Sequence, residues 1–161
     1  MDYLVAIIFI GIGATVVMDV WGIMRRKLFG TPLPNYAQVG RWIAHMRRGR
    51  FRHESIAKAT AVHGERGIGW TAHYAIGIAF AGLLFGLWGR EWIDRPTLGP
   101  ALLVGLATIA APFLLMQPGM GAGLAASRTP RPTAARVQSL VTHAVFGAGL
   151  YLAGRALTLL Q

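Results

Sequence analysis

The sequence predicts an all-α protein of the membrane: an integral four-helix bundle with an amphipathic helix lying at the interface in its first cytoplasmic loop. Three observations carry that prediction. Hydrophobic residues fill 54% of the 161 positions and charged residues only 14%, against roughly a quarter charged in soluble domains. The apolar residues gather into four runs, each long enough at ~1.5 Å per residue to approach or cross a hydrocarbon core of roughly 30 Å. Ten of the sixteen Lys and Arg fall between Arg25 and Arg66, directly after the first run, as in a loop kept in the cytoplasm. A net charge of +10 would also suit a nucleic-acid binder, but its concentration in one juxtamembrane loop points to lipid and away from nucleic acid. Cysteine is absent, which excludes a disulfide framework, a thiol nucleophile and a thiolate metal site.

The chain reads as a single membrane domain over residues 1–161, with spans at about 3–24, 67–89, 98–116 and 137–154 and cytoplasmic loops at 25–66 and 117–136. The first run has no basic residue before it and Arg25-Arg26-Lys27 after it, so it is expected to stay as a helix rather than be cleaved as a signal. Gly11, Thr15, Asp19 and Gly22 recur on one of its faces at three- and four-residue steps, giving a small-residue surface that carries a carboxylate toward protein. In the loop that follows, Asn35 is placed to cap a short helix with an apolar stripe of Tyr36, Val39, Trp42, Ile43 and Met46. Arg41, His45 and Arg48 lie on another face, toward anionic headgroups. Glu54 to His63 reads as a second short helix, supported by a Glu54–Lys58 pair.

In the second span Trp70, His73, Gly77, Ala81 and Leu84 share a face, and Trp88 and Trp92 are expected to anchor the outer interface. The third span carries Gly105, Thr108 and Pro112, with a kink expected near the proline. Gly119-Met120-Gly121-Ala122-Gly123 then opens a basic connection containing Arg128, Arg131 and Arg136. Its glycines suit either a turn or a cradle for a phosphate. The fourth span aligns Ser139, His143, Gly147, Leu150 and Gly154. Lys and Arg counts put both long loops inside and both termini in the periplasm. A twofold echo also runs through the chain: Ala14-Thr15 matches Ala107-Thr108, and Thr71-x-His73 matches Thr142-His143.

An ionisable side chain at membrane depth is a functional candidate. Asp19, His73 and His143 each lie about six residues inside the inner end of a span, on the order of 9 Å below the boundary. Gln117 lies near that layer. Four roles compete for these residues. They can hydrogen-bond across helices and hold the packing. Asp19, His73 and His143 also form the two-His, one-carboxylate set of many iron and zinc centres. The two histidines could hold noncovalent haem, since no Cys-x-x-Cys-His is present. Finally, Asp19 and a histidine could exchange protons along a solute pathway. The leading expectation is binding, or help in transport, of a small ligand, lipid headgroup or metal in a cytoplasm-facing pocket of Asp19, Trp70, His73, Gln117 and His143. Asp19 would be the counter-charge there, and Gln117 would orient the bound group. Arg41, Arg128 and Arg131 are the headgroup contacts. The alternatives are a membrane-embedded metal- or haem-dependent enzyme, and a structural subunit of a homo-oligomer or larger membrane complex.

Met18-Asp19-x-Trp21, Gly40-Arg41-Trp42, the stretch from Gly69-Trp70 to Gly77, and Met116-Gln117-Pro118-Gly119-Met120-Gly121 through His143 together resemble a family of small inner-membrane proteins known as a domain of unknown function. The likeness covers nearly the whole chain. It implies a bacterial four-helix membrane protein, and it carries no activity or catalytic residue with it.

Overall fold

The computed structural model describes residues 2–160, and among them there are helices and no strand. In chain order they are α1 (Tyr3–Phe29), α2 (Tyr36–Met46), α3 (Glu65–Asp94), α4 (Leu98–Ala107), α5 (Gln117–Met120) and α6 (Pro132–Leu159). Four helical segments are long and apolar enough to cross a membrane: Tyr3–Phe29, Glu65–Asp94, Leu98–Met120 and Pro132–Leu159. Each extends past the span expected from sequence, at one end or both.

The third span is α4 and α5 joined through a π-helical segment, Pro112–Met116, in which the Gln117 N–H donates to the Pro112 carbonyl. Proline has no N–H for the preceding turn, and the widened turn accommodates the defect. The kink expected near Pro112 takes this form.

The chain divides into two compact units. The first contains α1 with the residues after it to Leu33, Tyr74–Thr108, and the part of α6 from Leu140 onward. Its core is apolar, built on Ile10, Ala14, Ala81, Leu84, Phe85, Val104, Phe146 and Leu150. Lipid is as apolar as these side chains, so burial alone does not drive helices together in a bilayer and close backbone approach must. A β-carbon on Gly11 would lie 2.5 Å from the Ile78 Cα, and one on Gly77 would collide with the Thr15 hydroxyl. The α4–α6 crossing repeats the device, with a β-carbon on Gly105 meeting the Gly147 Cα at 2.5 Å. Thr15 and Thr108 each donate their hydroxyl to a glycine carbonyl of the preceding turn, Gly11 and Gly105, both at 2.7 Å. The twofold echo in the sequence therefore falls on two like crossings, and Gly77 and Gly147 each follow a histidine by one helical turn.

Late in α3, Gly89 adopts φ 68° and ψ −165°, a conformation that glycine reaches without a steric penalty. The bend turns the end of the helix inward. Trp92 is therefore 3% exposed and not an interfacial anchor, with its indole N–H donating to the Thr97 carbonyl at 3.0 Å.

The second unit comprises Pro34–His73 and Ile109–Ser139. Here α2 packs on the start of α3 through backbone: β-carbons on Gly40 and Gly69 would collide with the carbonyl oxygens of Glu65 and Tyr36. Asn35 holds the N-cap position of α2 without a side-chain capping bond. The expected Glu54–His63 helix is reduced to a single 3₁₀ turn, Ile56–Lys58, and among the described residues no Glu54–Lys58 ion pair forms. The reason is Arg41. Its Nη1 takes the carbonyls of Ile56 and Ala59, at 3.1 and 3.0 Å, which helical N–H groups would otherwise occupy.

Candidate functional site

In the first unit Asp19, half-buried on α1, accepts a hydrogen bond from the Tyr74 hydroxyl at 3.0 Å. His143 on α6 donates from Nδ1 to the Gly105 carbonyl at 3.2 Å, with the Thr108 hydroxyl also 3.1 Å away. A carbonyl only accepts, so the His143 proton sits on Nδ1 and Nε2 is left as the acceptor nitrogen. The Thr108 hydroxyl already donates to Gly105, so it too accepts from His143. Sequence periodicity put Gly105 and Thr108 on one face but did not reveal them as partners of His143.

In the second unit His73 pairs its Nε2 with the Tyr36 hydroxyl at 3.0 Å, and the two rings stack with centroids 4.3 Å apart. Trp70 completes an aromatic group, 4.5 Å from Tyr36 and 5.8 Å from His73. The three-residue step between Trp70 and His73 predicted their common face. The arrival of Tyr36 depends on the Gly40–Gly69 approach and has no local signal. Gln117 has a buried Oε1 without a hydrogen-bond partner, and its backbone carbonyl accepts from Ala122 at 2.8 Å.

The same unit holds a polar arrangement that the spacing of the sequence did not expose. His45 and His53 are both 6% exposed, and His45 Nδ1 lies 2.8 Å from His53 Nε2. The other nitrogen of His53, Nδ1, donates to the Gly119 carbonyl at 3.3 Å, and the same carbonyl accepts the His53 backbone N–H at 2.9 Å. That carbonyl orders the chain of bonds: His53 carries its proton on Nδ1, so its Nε2 accepts and His45 donates. Any further proton on His45 must sit on Nε2. Burial pushes the His53 imidazole below its ordinary pKa, the Gly119 bond opposes this, and the Arg50 charge adds to the lowering. Gly119 can meet these groups because the Trp42 indole lies against it, where a β-carbon would stand 2.5 Å from Nε1.

Beside His45 lies a cavity of about 170 Å³ whose other lining residues are Arg48, Arg50 and Thr60. Gly49, at φ 74°, turns the chain between the two arginines. This geometry favours an anion, since two guanidinium groups repel a metal ion and match phosphate or carboxylate oxygens.

Arg41 is engaged within the protein rather than open to headgroups. Nε and Nη2 form a two-pronged pair with Glu65, both at 2.8 Å, while Nη1 holds the Ile56 and Ala59 carbonyls. The Glu65 bond raises the guanidinium pKa further. Arg128 and Arg131 are exposed, and Arg136 donates from Nε to the Ala125 carbonyl at 2.8 Å. The glycine run serves close packing and turning: Gly121 abuts the Glu54 carbonyl and Gly123 the Ser127 side chain. The N–H groups of Gly121 and Ala122 are already bonded to Pro118 and Gln117, so they are not available to a phosphate. Among the described residues no group of three or more His, Cys, Asp or Glu is arranged to hold a metal ion. Asp19, His73 and His143 are instead each engaged by the partners given above.

Residues 8–157 match the family model described as a protein of unknown function, DUF2938, and the chain belongs to that family. No curated protein and no solved structure matches it.

Proposed function

We propose that this protein is a multi-pass bacterial inner-membrane protein that binds an acidic phospholipid headgroup in the cavity of His45, Arg48, Arg50 and Thr60. The oriented histidine pair beside that cavity carries the reading. Because His45 Nδ1–H is committed to His53, Nε2 is left to accept from a headgroup hydroxyl, while the two guanidinium groups neutralise the phosphate. The excess of Lys and Arg puts residues 25–66 and 117–136 in the cytoplasm and both termini in the periplasm. The cavity then opens toward the leaflet that carries most anionic lipid. In this reading α2 lies at the interface, with exposed Arg128 and Arg131 as further headgroup contacts. Asp19, His73 and His143, each hydrogen-bonded within the chain, secure helix packing.

The test is reconstitution in nanodiscs of phosphatidylcholine with and without phosphatidylglycerol, read by the nitrogen-15 shifts of the His45 ring. Phosphatidylglycerol is expected to move the Nε2 resonance, and an Arg48→Ala/Arg50→Ala double variant is expected to lose that response. These arginines are exposed, so the melting temperature of the variant in phosphatidylcholine should stay within the small range of a surface change. Identical His45 spectra in both lipids would refute the reading.

A further inference from the structure

Among the described residues, four carry buried polar side-chain atoms without a hydrogen-bond partner: Trp21, Arg25, Thr31 and Gln117. Three of them lie close together in sequence, at the end of α1 and just beyond it. Arg25 is the sharpest case, because it is 8% exposed and both Nε and Nη1 are buried without an acceptor. Trp21 lies one turn earlier on the same face, with its indole N–H also unpaired. The chain leaves α1 through Gly30 and returns along it, so that Leu33 comes within 3.6 Å of where a β-carbon on Gly22 would stand. Gly22 and Arg25 share a face at a three-residue step. Thr31, just before Leu33, is carried back with this return, and its hydroxyl is buried and unpaired as well.

The three groups have one chemistry. Indole and guanidinium nitrogens only donate, and the hydroxyl is free to donate. Buried donors without an acceptor incur their full desolvation penalty, and a buried cation incurs the most. Asp19, the one carboxylate in α1, accepts from Tyr74 and does not pair with the Nε or Nη1 of Arg25, which have no acceptor. A water molecule could take two of the bonds but would leave the cation without a counter-charge. The C-terminal end of a helix disfavours an anion, and Arg25 with the neighbouring Arg26 and Lys27 reverses that local sign.

We propose that Trp21, Arg25 and Thr31 form an oxyanion site at the end of the first span, which takes a phosphate group. A tetrahedral phosphate presents oxygens in several directions, as donors arriving from a helix and from a returning strand of chain require. A planar carboxylate presents two. The phosphate has two sources, a phospholipid of any headgroup or free inorganic phosphate. The site is separate in residues from the His45 cavity and does not depend on an acidic headgroup.

The experiment uses the full chain purified in phosphate-free detergent and probed in two arms. In one, native mass spectrometry counts retained phospholipid after addition of phosphatidylcholine. In the other, inorganic phosphate is titrated calorimetrically. Binding in the first arm alone identifies a lipid phosphate, and binding in the second identifies the free ion. In the arm that binds, Arg25→Gln is expected to weaken the affinity at least tenfold. Trp21→Phe keeps an aromatic side chain while removing the N–H, and it leaves the Arg25 charge in place, so it keeps the test valid if Arg25→Gln does not fold; a loss of three- to tenfold is expected. Arg155→Gln, at an exposed cation that belongs to neither site, should leave this binding unchanged. No binding in either arm, or binding that Trp21→Phe leaves at the wild-type affinity, would overturn the proposal.

Discussion

The two compact units are held together by different physics. In the first, helices meet where glycine removes the side chain, as at Gly11 with Ile78 and Gly105 with Gly147, and the enclosed core is apolar. In the second, glycine again allows contact at Gly40 and Gly69, but the chain between the helices is held by directional polar bonds. Arg41 gathers Glu65 and two carbonyls, and His53 ties His45 to Gly119. The contrast follows from solvent. Between lipid-facing helices only shape and backbone proximity discriminate one packing from another, whereas a polar loop gains its definition from ionic and hydrogen-bonded partners.

That contrast breaks first under steric change in the first unit. Gly105→Leu forces side-chain atoms into the Gly147 backbone and should cost about 3 kcal/mol or more, read as a lower midpoint in detergent unfolding. Next is the ion pair. Glu65→Ala leaves Arg41, whose side chain is 13% exposed, without its counter-charge, at an expected cost of about 2–3 kcal/mol. The damage should be local: trypsin should cut after Arg47, Arg48, Arg50 or Arg52 faster than in wild type, while the apolar helices stay protected. Equal proteolysis of both proteins would show that the ion pair does not hold the loop. A third change, Trp92→Phe, removes the bond to Thr97 and leaves a small cavity where the larger ring was buried, and should cost about 2 kcal/mol, measurable by thermal melting.

A smaller effect separates the units by pH. His53 is held below the ordinary histidine pKa chiefly by burial, so the unfolded chain binds a proton there at higher pH than the folded chain does. Its contribution to stability is therefore full above the ordinary value of about 6.5 and falls as the pH drops below it. Acidification should loosen the 47–58 loop in hydrogen exchange before it affects the apolar core, and His53→Asn should flatten that dependence. The smallest effect has the opposite sign. Ala125 sits at φ 45°, in a region that favours glycine, and Ala125→Gly should stabilise the protein by about 0.5 kcal/mol, again by melting.

The fold was more legible than the site. Four helices long and apolar enough to cross a membrane, and the α2 stripe, followed from apolar runs and from the 3.6-residue period, both of which depend only on near neighbours in sequence. The Glu54–His63 helix failed on a distant residue: Arg41 claims carbonyls that helix formation would need. Trp92 failed through a backbone bend at Gly89 that no side-chain pattern announces. Periodicity turned Asp19 toward protein and named the residues that share a face with His73 and His143; in the structure each of the three has a protein partner. It could not say which partners, because that depends on the rotation of each helix about its axis.

The sequence by itself determined the helical class, the four helices long and apolar enough to cross a membrane and the concentration of cations in one loop, because composition and local periodicity dictate them whatever the packing. Only the tertiary structure decided that Arg41 is engaged by Glu65, that His45 and His53 form a bonded pair, and that two guanidinium nitrogens of Arg25 are buried without an acceptor. These are relations between residues far apart in sequence or a property of the filled space around one side chain, and neither has a periodic signal along the chain.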